Sequence, residues 1–469
     1  MTAEEIIKAD LNDLIRLGEF DCPCGKKHSP GVSKVIIEQG AMLKLPALLE
    51  EIGAKKPFLL SGHDTFQAAG DAVCRVLADA GYPYTKYVYS ASPVKPTEFT
   101  VGSALMHFDY SCDAIIGIGS GVINDTAKML ARATGMKYII VATAPSMDGF
   151  VSGTSSMDRD GLKSSLYSKA AWCVIGDPDI LCKAPMHLLL AGVGDMLAKI
   201  TSLAEWKLAH IIVGEDYCEV IAALVQRALT QVTEQAQKLL ERDAEAVRSV
   251  MEGLIIAGMA MNYAGVSRPA SGTEHYFSHI WDMRALAFEN TGSELHGIQA
   301  GIGTLYTLMA FRTFLEGNYL PDRARAMAYV RNFSPDGWNR QLLEFIGPGA
   351  EAMIEGEARE RKYSPEKHEA RFAVIEKNWA RILETVRALP TPEEVRNLME
   401  AIGFPTSAAI IGYTDEQIKT TFLMTKDIRD KYVSTRLFWD LGILEEIADK
   451  TFIPTKFTGK PARCGRFIH

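Results

Sequence analysis

The chain has 469 residues, 47% of them hydrophobic, and a formal net charge of −8, so it can bury more than one core and two domains are expected. The acidic balance, with no Lys/Arg block interleaved with aromatics, excludes nucleic acid as an expected partner. The acidic start MTAEEIIKADLNDLI lacks the basic and apolar stretches of a signal peptide, and no run reaches the roughly 18 consecutive apolar residues of a membrane span, so a cytoplasmic protein is expected.

Residues 1–30 read as an N-terminal extension. Within it Cys22-Pro-Cys24-Gly-Lys-Lys-His28 gathers two thiols and an imidazole. The spacing is CxC, not CxxC, and no second pair follows in sequence to complete a tetrahedron, so a structural turn is the first reading, with a metal knuckle or a redox pair as alternatives. The eight cysteines are otherwise too sparse for a disulfide framework, and most lie in apolar runs as buried reduced thiols.

From residue 31 to 185 apolar strands alternate with helical stretches. KPFLLSG (56–62), YTKYVYS (84–90), DAIIGIGS (113–120), KYIIVAT (137–143) and WCVIGD (172–177) are the strands, and their continuous apolar character indicates a parallel sheet covered by helices on both faces. MDRDGLKSS (157–165) interrupts the alternation with an Asp-Gly turn and reads as a small hairpin over a cleft. From residue 186 to 469 apolar and amphipathic stretches at helical spacing predict an all-helical domain. In it EGEARERKYSPEKHEARF is a solvated face and FIPTKFTGKPARCGRFIH a tail.

The strand DAIIGIGS runs into a helix through Gly117, Gly119 and Gly121, a strand-turn-helix in which backbone N–H groups can meet a pyrophosphate at the positive end of the helix dipole. Asp64 ends the first of the strands quoted above. A carboxylate there bonds ribose hydroxyls and repels a 2′-phosphate, which favours NAD over NADP, or it merely caps a helix beginning near Phe66. In ATAPSMDGFVSGTSSM (142–157), Thr143, Ser146, Asp148 and Ser152 can bond a nicotinamide or a substrate.

Farther on, Asp195 in AGVGD, His275 in SGTEH and His296 in ELHG supply one carboxylate and two imidazoles. Zn²⁺ or another borderline metal on such a set keeps a position open for a substrate oxygen. His279 shares a helical face with His275 and is a candidate ligand, a support to one, or a substrate contact. Lys199, four residues after Asp195, can attract an anionic substrate group.

Together GIGSGVINDTAK, ATAPSMDGFVSGTSSM, KAPMHLLLAGVGDMLAK, SGTEHYFSHIWDM and ELHG, in this order across roughly residues 31–310, resemble the metal-dependent polyol and iron-type alcohol dehydrogenase and dehydroquinate synthase superfamily. Within it they are most similar to the sn-glycerol-1-phosphate dehydrogenase family. The resemblance implies a Rossmann-like N-terminal domain, a helical C-terminal domain, and NAD(P) with one divalent metal in the cleft between them. It places Asp195, His275 and His296 as metal ligands, and Gly117, Gly119 and Ser120 with Asp64 on the dinucleotide. It sets Asp125, Thr143, Ser146 and Asp148 around nicotinamide and substrate. Lys199 stands where iron-type enzymes carry a further histidine, so zinc or nickel is expected over iron. Dihydroxyacetone phosphate and sn-glycerol 1-phosphate are the expected substrate pair, in phospholipid metabolism. Asp125, Lys199 and His279 are the expected catalytic or substrate-binding groups, with Lys163 a further phosphate contact, and the assembly is expected to be a homo-oligomer. A related polyol dehydrogenase, a dehydroquinate-synthase-like lyase or cyclase, and a nucleotide-binding module without catalysis remain as alternatives.

Overall fold

The structure is a computed structural model that describes residues 2–159, 162–288 and 292–453. Its first large element is a six-stranded, all-parallel sheet. The strands are β1 (Lys34–Ile37), β2 (Pro57–Gly62), β3 (Thr85–Tyr89), β4 (Ala114–Gly119), β5 (Lys137–Ala142) and β8 (Cys173–Gly176), in the spatial order β1-β8-β5-β4-β2-β3. All residues of β2, β4 and β8 are buried, which is why their sequences are apolar without alternation. The edge strand β1 was not predicted. It is only four residues long and its burial alternates, so KVII carries too little pattern to stand out from the preceding turn.

The 157–165 hairpin exists and is longer than predicted. Strands β6 (Thr154–Arg159) and β7 (Leu162–Tyr167) pair antiparallel from Thr154 opposite Tyr167 to Arg159 opposite Leu162; the Asp-Gly turn between them lies outside the described residues. Helix α1 (Gly121–Thr134) leaves β4 directly at Ser120 and ends at Gly135 in the left-handed conformation.

After β8 the described chain is helical. The helices that build the site are α2 (Met186–Leu197), α3 (Lys199–Val213), α4 (Glu219–Gln235), α5 (Ala244–Ala264), α6 (Thr273–Ala287) and α7 (His296–Glu316). Helices α2 and α3 form one 28-residue stretch, Met186–Val213, that is apolar and long enough to match a membrane span by composition, yet 78% of its most apolar window is buried inside the protein. It is a core helix pair, and it carries Asp195 and Lys199 inward.

Two expectations change. EGEARERKYSPEKHEARF is not simply a solvated face: Glu357 is buried against Lys362 (2.6 Å) and Arg436 (3.2 Å), and His368 is buried 3.3 Å from Asp440. Buried charge with a distant partner has no signature in a local window. The N-terminal extension, in turn, docks on the helical region, with Arg227 of α4 donating to the Ile7 carbonyl. The predicted tail falls, apart from Phe452 and Ile453, outside the described residues.

Glycines set the tightest helix crossing. A Cβ on Gly194 of α2 would lie 2.1 Å from the Gly297 carbonyl oxygen, and one on Gly297 of α7 would lie 1.9 Å from that of Ala191. Backbone therefore touches backbone where α2 crosses α7. The same device seats the loop after β5 on the helices, since a Cβ on Gly192 would lie 2.0 Å from the Pro145 oxygen and one on Gly258 of α5 2.6 Å from that of Asp148.

Gly297→Ala forces these backbones apart and is expected to cost about 1–3 kcal/mol, the range for overpacking a tight contact. Gly102→Ala, in a helix with no atom within 4 Å of the added Cβ, should be neutral or stabilising by up to about 1 kcal/mol. Thermal or urea unfolding of the two variants checks the contrast; equal stabilities would refute the crossing.

Candidate active site

The helix crossing decides where two of the three candidate ligands stand. Asp195 follows Gly194 and His296 precedes Gly297, so the contact that needs glycine also presents both side chains to one point. His275 arrives from the first turn of α6, which packs on α7; there a Cβ on Gly303 would lie 2.5 Å from the Glu274 oxygen. The Asp195, His275 and His296 ligand atoms all lie within 4.8 Å of one another, with His275 Nε2 3.5 Å from Asp195 Oδ1 and the two imidazole centroids 4.9 Å apart.

Each imidazole is held by its other nitrogen. His275 Nδ1 donates to Glu274 at 2.9 Å, and His296 Nδ1 lies 3.0 Å from the Ser278 hydroxyl, which leaves both Nε2 atoms free for a cation. Glu274 is itself anchored by the Thr201 hydroxyl at 2.6 Å and the Gly272 amide. Burial opposes ionisation of Asp195, but Lys199, then His275, outweighs it and holds the carboxyl far below its usual range. Burial likewise opposes a charged His275, and the Asp195 and Glu274 carboxylates outweigh it and raise its pKa. One permanently ionised carboxylate and two oriented imidazoles fit a borderline divalent metal.

Lys199, expected to attract an anionic substrate group, is turned inward. Its ammonium is fully buried and gives all three donors to the protein, to Asp148 Oδ2 (2.6 Å), Asp195 Oδ1 (3.1 Å) and the Ala270 carbonyl (3.2 Å). It neutralises the carboxylates beneath the ligand set. Asp148 accepts from it, and the Asp148 amide donates to Asp195 Oδ2 at 2.8 Å, which fixes the second carboxylate oxygen. His279 lies one turn past His275 with its ring centroid 6.2 Å from that of His296. It is not in the ligand cluster, and burial with the nearby Arg429 lowers its pKa well below the usual imidazole value, so it is a neutral donor or acceptor and not a cation.

The dinucleotide candidates line the carboxyl edge of adjacent strands, the usual ligand edge of such sheets. Asp64 sits at the end of β2. The helix there starts at His63, so Asp64 is inside its first turn and does not cap it; its carboxylate accepts from the Ser92 hydroxyl. Gly119 and Ser120 end β4, where the Thr143 amide donates to the Gly119 carbonyl at 3.1 Å and the Ser120 and Ser146 hydroxyls are bonded.

Three residues have other duties. Gly117 lies within β4, and a Cβ there would come 2.9 Å from the Tyr138 hydroxyl, so packing against β5, not a phosphate, requires glycine. The Ser152 hydroxyl is occupied within the loop by Lys128 (3.2 Å) and the carbonyls of Gly149 (3.2 Å) and Thr154 (3.1 Å). The Asp125 carboxylate pairs with Lys128 at 2.9 Å and accepts the Ser156 amide at 2.9 Å, pinning the hairpin to α1.

Several residues escaped the sequence. Glu274 had a signal, a carboxylate adjacent to a candidate ligand. Ser278 stands one turn along α6. Arg429 had none, because it comes from the distant C-terminal region and donates to Ser165 of the hairpin at 3.3 Å. Lys163 of the hairpin bridges to Asp282 of α6 at 3.6 Å. Both cations lie near enough to influence His279.

A family model described as iron-containing alcohol dehydrogenase matches residues 36–185. The NAD(P)+ glycerol-1-phosphate dehydrogenase of Bacillus licheniformis is 32% identical over 347 residues, covering 71% of this chain and 86% of that protein. The corresponding protein of Halalkalibacterium halodurans is 31% identical over 399 residues, covering 84% and 89%. Among solved structures, the iron-containing alcohol dehydrogenase of Thermococcus thioreducens superposes with a TM-score of 0.57 at 15% identity, over 89% of this chain and 97% of that one. Glycerol dehydrogenase of Schizosaccharomyces pombe gives 0.56 at 14% identity, over 91% and 92%. At these identities the structural likeness concerns the fold.

Glu274→Gln removes the charge that orients His275 while keeping its shape. Metal affinity should fall about 10–100-fold, the usual cost of losing such a support. Calorimetric titration of chelator-stripped protein measures it, and an affinity equal to that of the unaltered chain would remove Glu274 from this role.

Proposed function

The chain belongs to the glycerol-1-phosphate dehydrogenase family, and we propose that it interconverts dihydroxyacetone phosphate and sn-glycerol 1-phosphate with NAD(H) or NADP(H). The observation that carries this reading is the loop 143–152. It starts at the strand edge where Gly119, Ser120 and Thr143 meet, and reaches the metal-ligand set through the Asp148 amide on Asp195. A nucleotide on that edge and a cation on Asp195, His275 and His296 are therefore neighbours.

When bound, the divalent cation supplies Lewis acidity toward a ketone oxygen. The protein's own residues prepare that position: Glu274 and Ser278 aim the imidazoles, and Lys199 with the Asp148 amide holds both Asp195 oxygens. With lysine where iron-type enzymes carry a further histidine, the three-ligand set favours zinc or nickel over iron. Asp64 offers its carboxylate toward the ribose side of the nucleotide.

For the substrate phosphate we assign Lys163 and Arg429 in place of Lys199. Both act on His279 and are tied to the hairpin or to α6 beside it, and His279 adds a neutral hydrogen-bonding group. This choice gives the hairpin a purpose, since it carries Lys163 and holds Arg429 through Ser165.

Purified protein should oxidise NADH or NADPH with dihydroxyacetone phosphate, lose that activity on chelation, and regain it with Zn²⁺ or Ni²⁺. Full turnover by the chelated protein would exclude the metal-dependent mechanism. Arg429→Ala should raise KM for dihydroxyacetone phosphate about 10–100-fold, the worth of one charge-assisted hydrogen bond, and leave turnover of unphosphorylated dihydroxyacetone unchanged. An equal effect on both ketones would remove Arg429 from phosphate binding.

A further inference from the structure

A second constellation of metal-ligand type lies at the N-terminal extension, among residues that take no part in the chemistry above. Phe20–Asp21 and Lys27–His28 pair as a two-stranded ribbon, with Phe20 opposite His28 and Asp21 opposite Lys27. Between them the chain turns tightly: the Cys22 amide donates to the Lys26 carbonyl, the Gly25 amide to the Cys22 carbonyl, both at 2.9 Å, and Gly25 adopts φ 85°. The turn places Cys22, Cys24 and His28 on one side. The ligand absent from the local sequence comes from Cys218, at the start of α4, and the four donor atoms lie within 4.8 Å of one another.

We propose that Cys22, Cys24, His28 and Cys218 bind a structural zinc ion that fastens the N-terminal extension to the helical region. A tetrahedron with Zn–S of about 2.3 Å and Zn–N of about 2.0–2.1 Å has edges of about 3.5–3.8 Å. The observed edges are 3.6 Å for Cys22 Sγ to Cys218 Sγ, 3.6 Å for Cys218 Sγ to His28 Nε2, and 3.3 Å for Cys24 Sγ to His28 Nε2. The His28 ring is buried, and its Nδ1 donates to the Tyr263 carbonyl at 2.8 Å, so the Nε2 lone pair points at the three sulfurs.

Four protein ligands leave no coordination position for a substrate, so the site is closed and structural. Three thiolates and a neutral imidazole on Zn²⁺ carry one net negative charge. The ion ties the ribbon to the start of α4 through Cys218. Through the His28 bond to Tyr263, it also ties the ribbon to the end of α5. Only Cys24 is exposed, which gives the ion a route in.

The test uses the full-length His275→Ala chain, in which the other candidate site is disabled, so its outcome does not depend on the proposed activity. After dialysis against a weak chelator this chain should retain about one zinc ion, and cobalt in its place should show thiolate-to-metal charge-transfer absorption and the intense visible bands of a tetrahedral site. Cys24→Ser and Cys218→Ser, each added to His275→Ala, should lose that ion and that spectrum, whereas Cys182→Ser should keep both. A His275→Ala chain that retains no zinc, or in which mass spectrometry finds Cys22 and Cys218 joined as a disulfide, would overturn the proposal without requiring any cysteine variant to fold.

Discussion

The site depends on the direct backbone contact between α2 and α7. Helices ordinarily pack 8–10 Å apart because side chains separate them; here Gly194 and Gly297 remove that spacing at one point. Each glycine is next to a candidate ligand, so close approach and ligand convergence are one event. GVGD and LHG are joint statements, a residue that lets the backbone in and a residue that uses the position gained.

Such convergence places ionisable groups where burial is costly, and the protein surrounds them with polar partners. Glu274 holds His275 and is held by Thr201, while buried Glu205 accepts from the Thr273 amide at 2.8 Å and hydroxyl at 2.6 Å, just before the ligand. The Ser434 amide adds a further bond to Glu205 at 2.9 Å. Ser434 belongs to the C-terminal region, whose fully buried helix Ser434–Asp440 is fixed by Arg371 on Asp440 at 2.8 Å and 2.9 Å. Residues beyond the core of the resemblance thus reach the back of the candidate ligand set. An unpaired polar group is costly in a low-dielectric interior, and Ser434 brings one of the Glu205 partners from this C-terminal segment.

Two residues expected to meet the substrate have partners inside the protein, for a shared reason. Lys199 and Asp125 carry charges that look available in a linear motif, yet each is matched internally, Lys199 by two carboxylates and Asp125 by Lys128 and the hairpin backbone. A charge at a motif position says what can be attracted, and the partner nearest in space decides what is. The cations that act on His279, Lys163 and Arg429, come from the hairpin and the C-terminal region, elements with no place in the motif.

The sequence by itself determined the alternation of buried parallel strands and helices, the helical character after residue 186, the strand-turn-helix at Gly119 to Gly121, and the ligand candidates, because burial period and glycine placement are local properties. It did not show β1, whose four residues carry too short a pattern, nor the packing duty of Gly117, which exists only against Tyr138. Tertiary structure alone decided which partner each charge meets. It alone brought Cys218 to a turn 190 residues away from it, measured to His28. Coordination and ion pairing act over a few ångströms in space, and separation along the chain carries no information about that distance until the helices have packed.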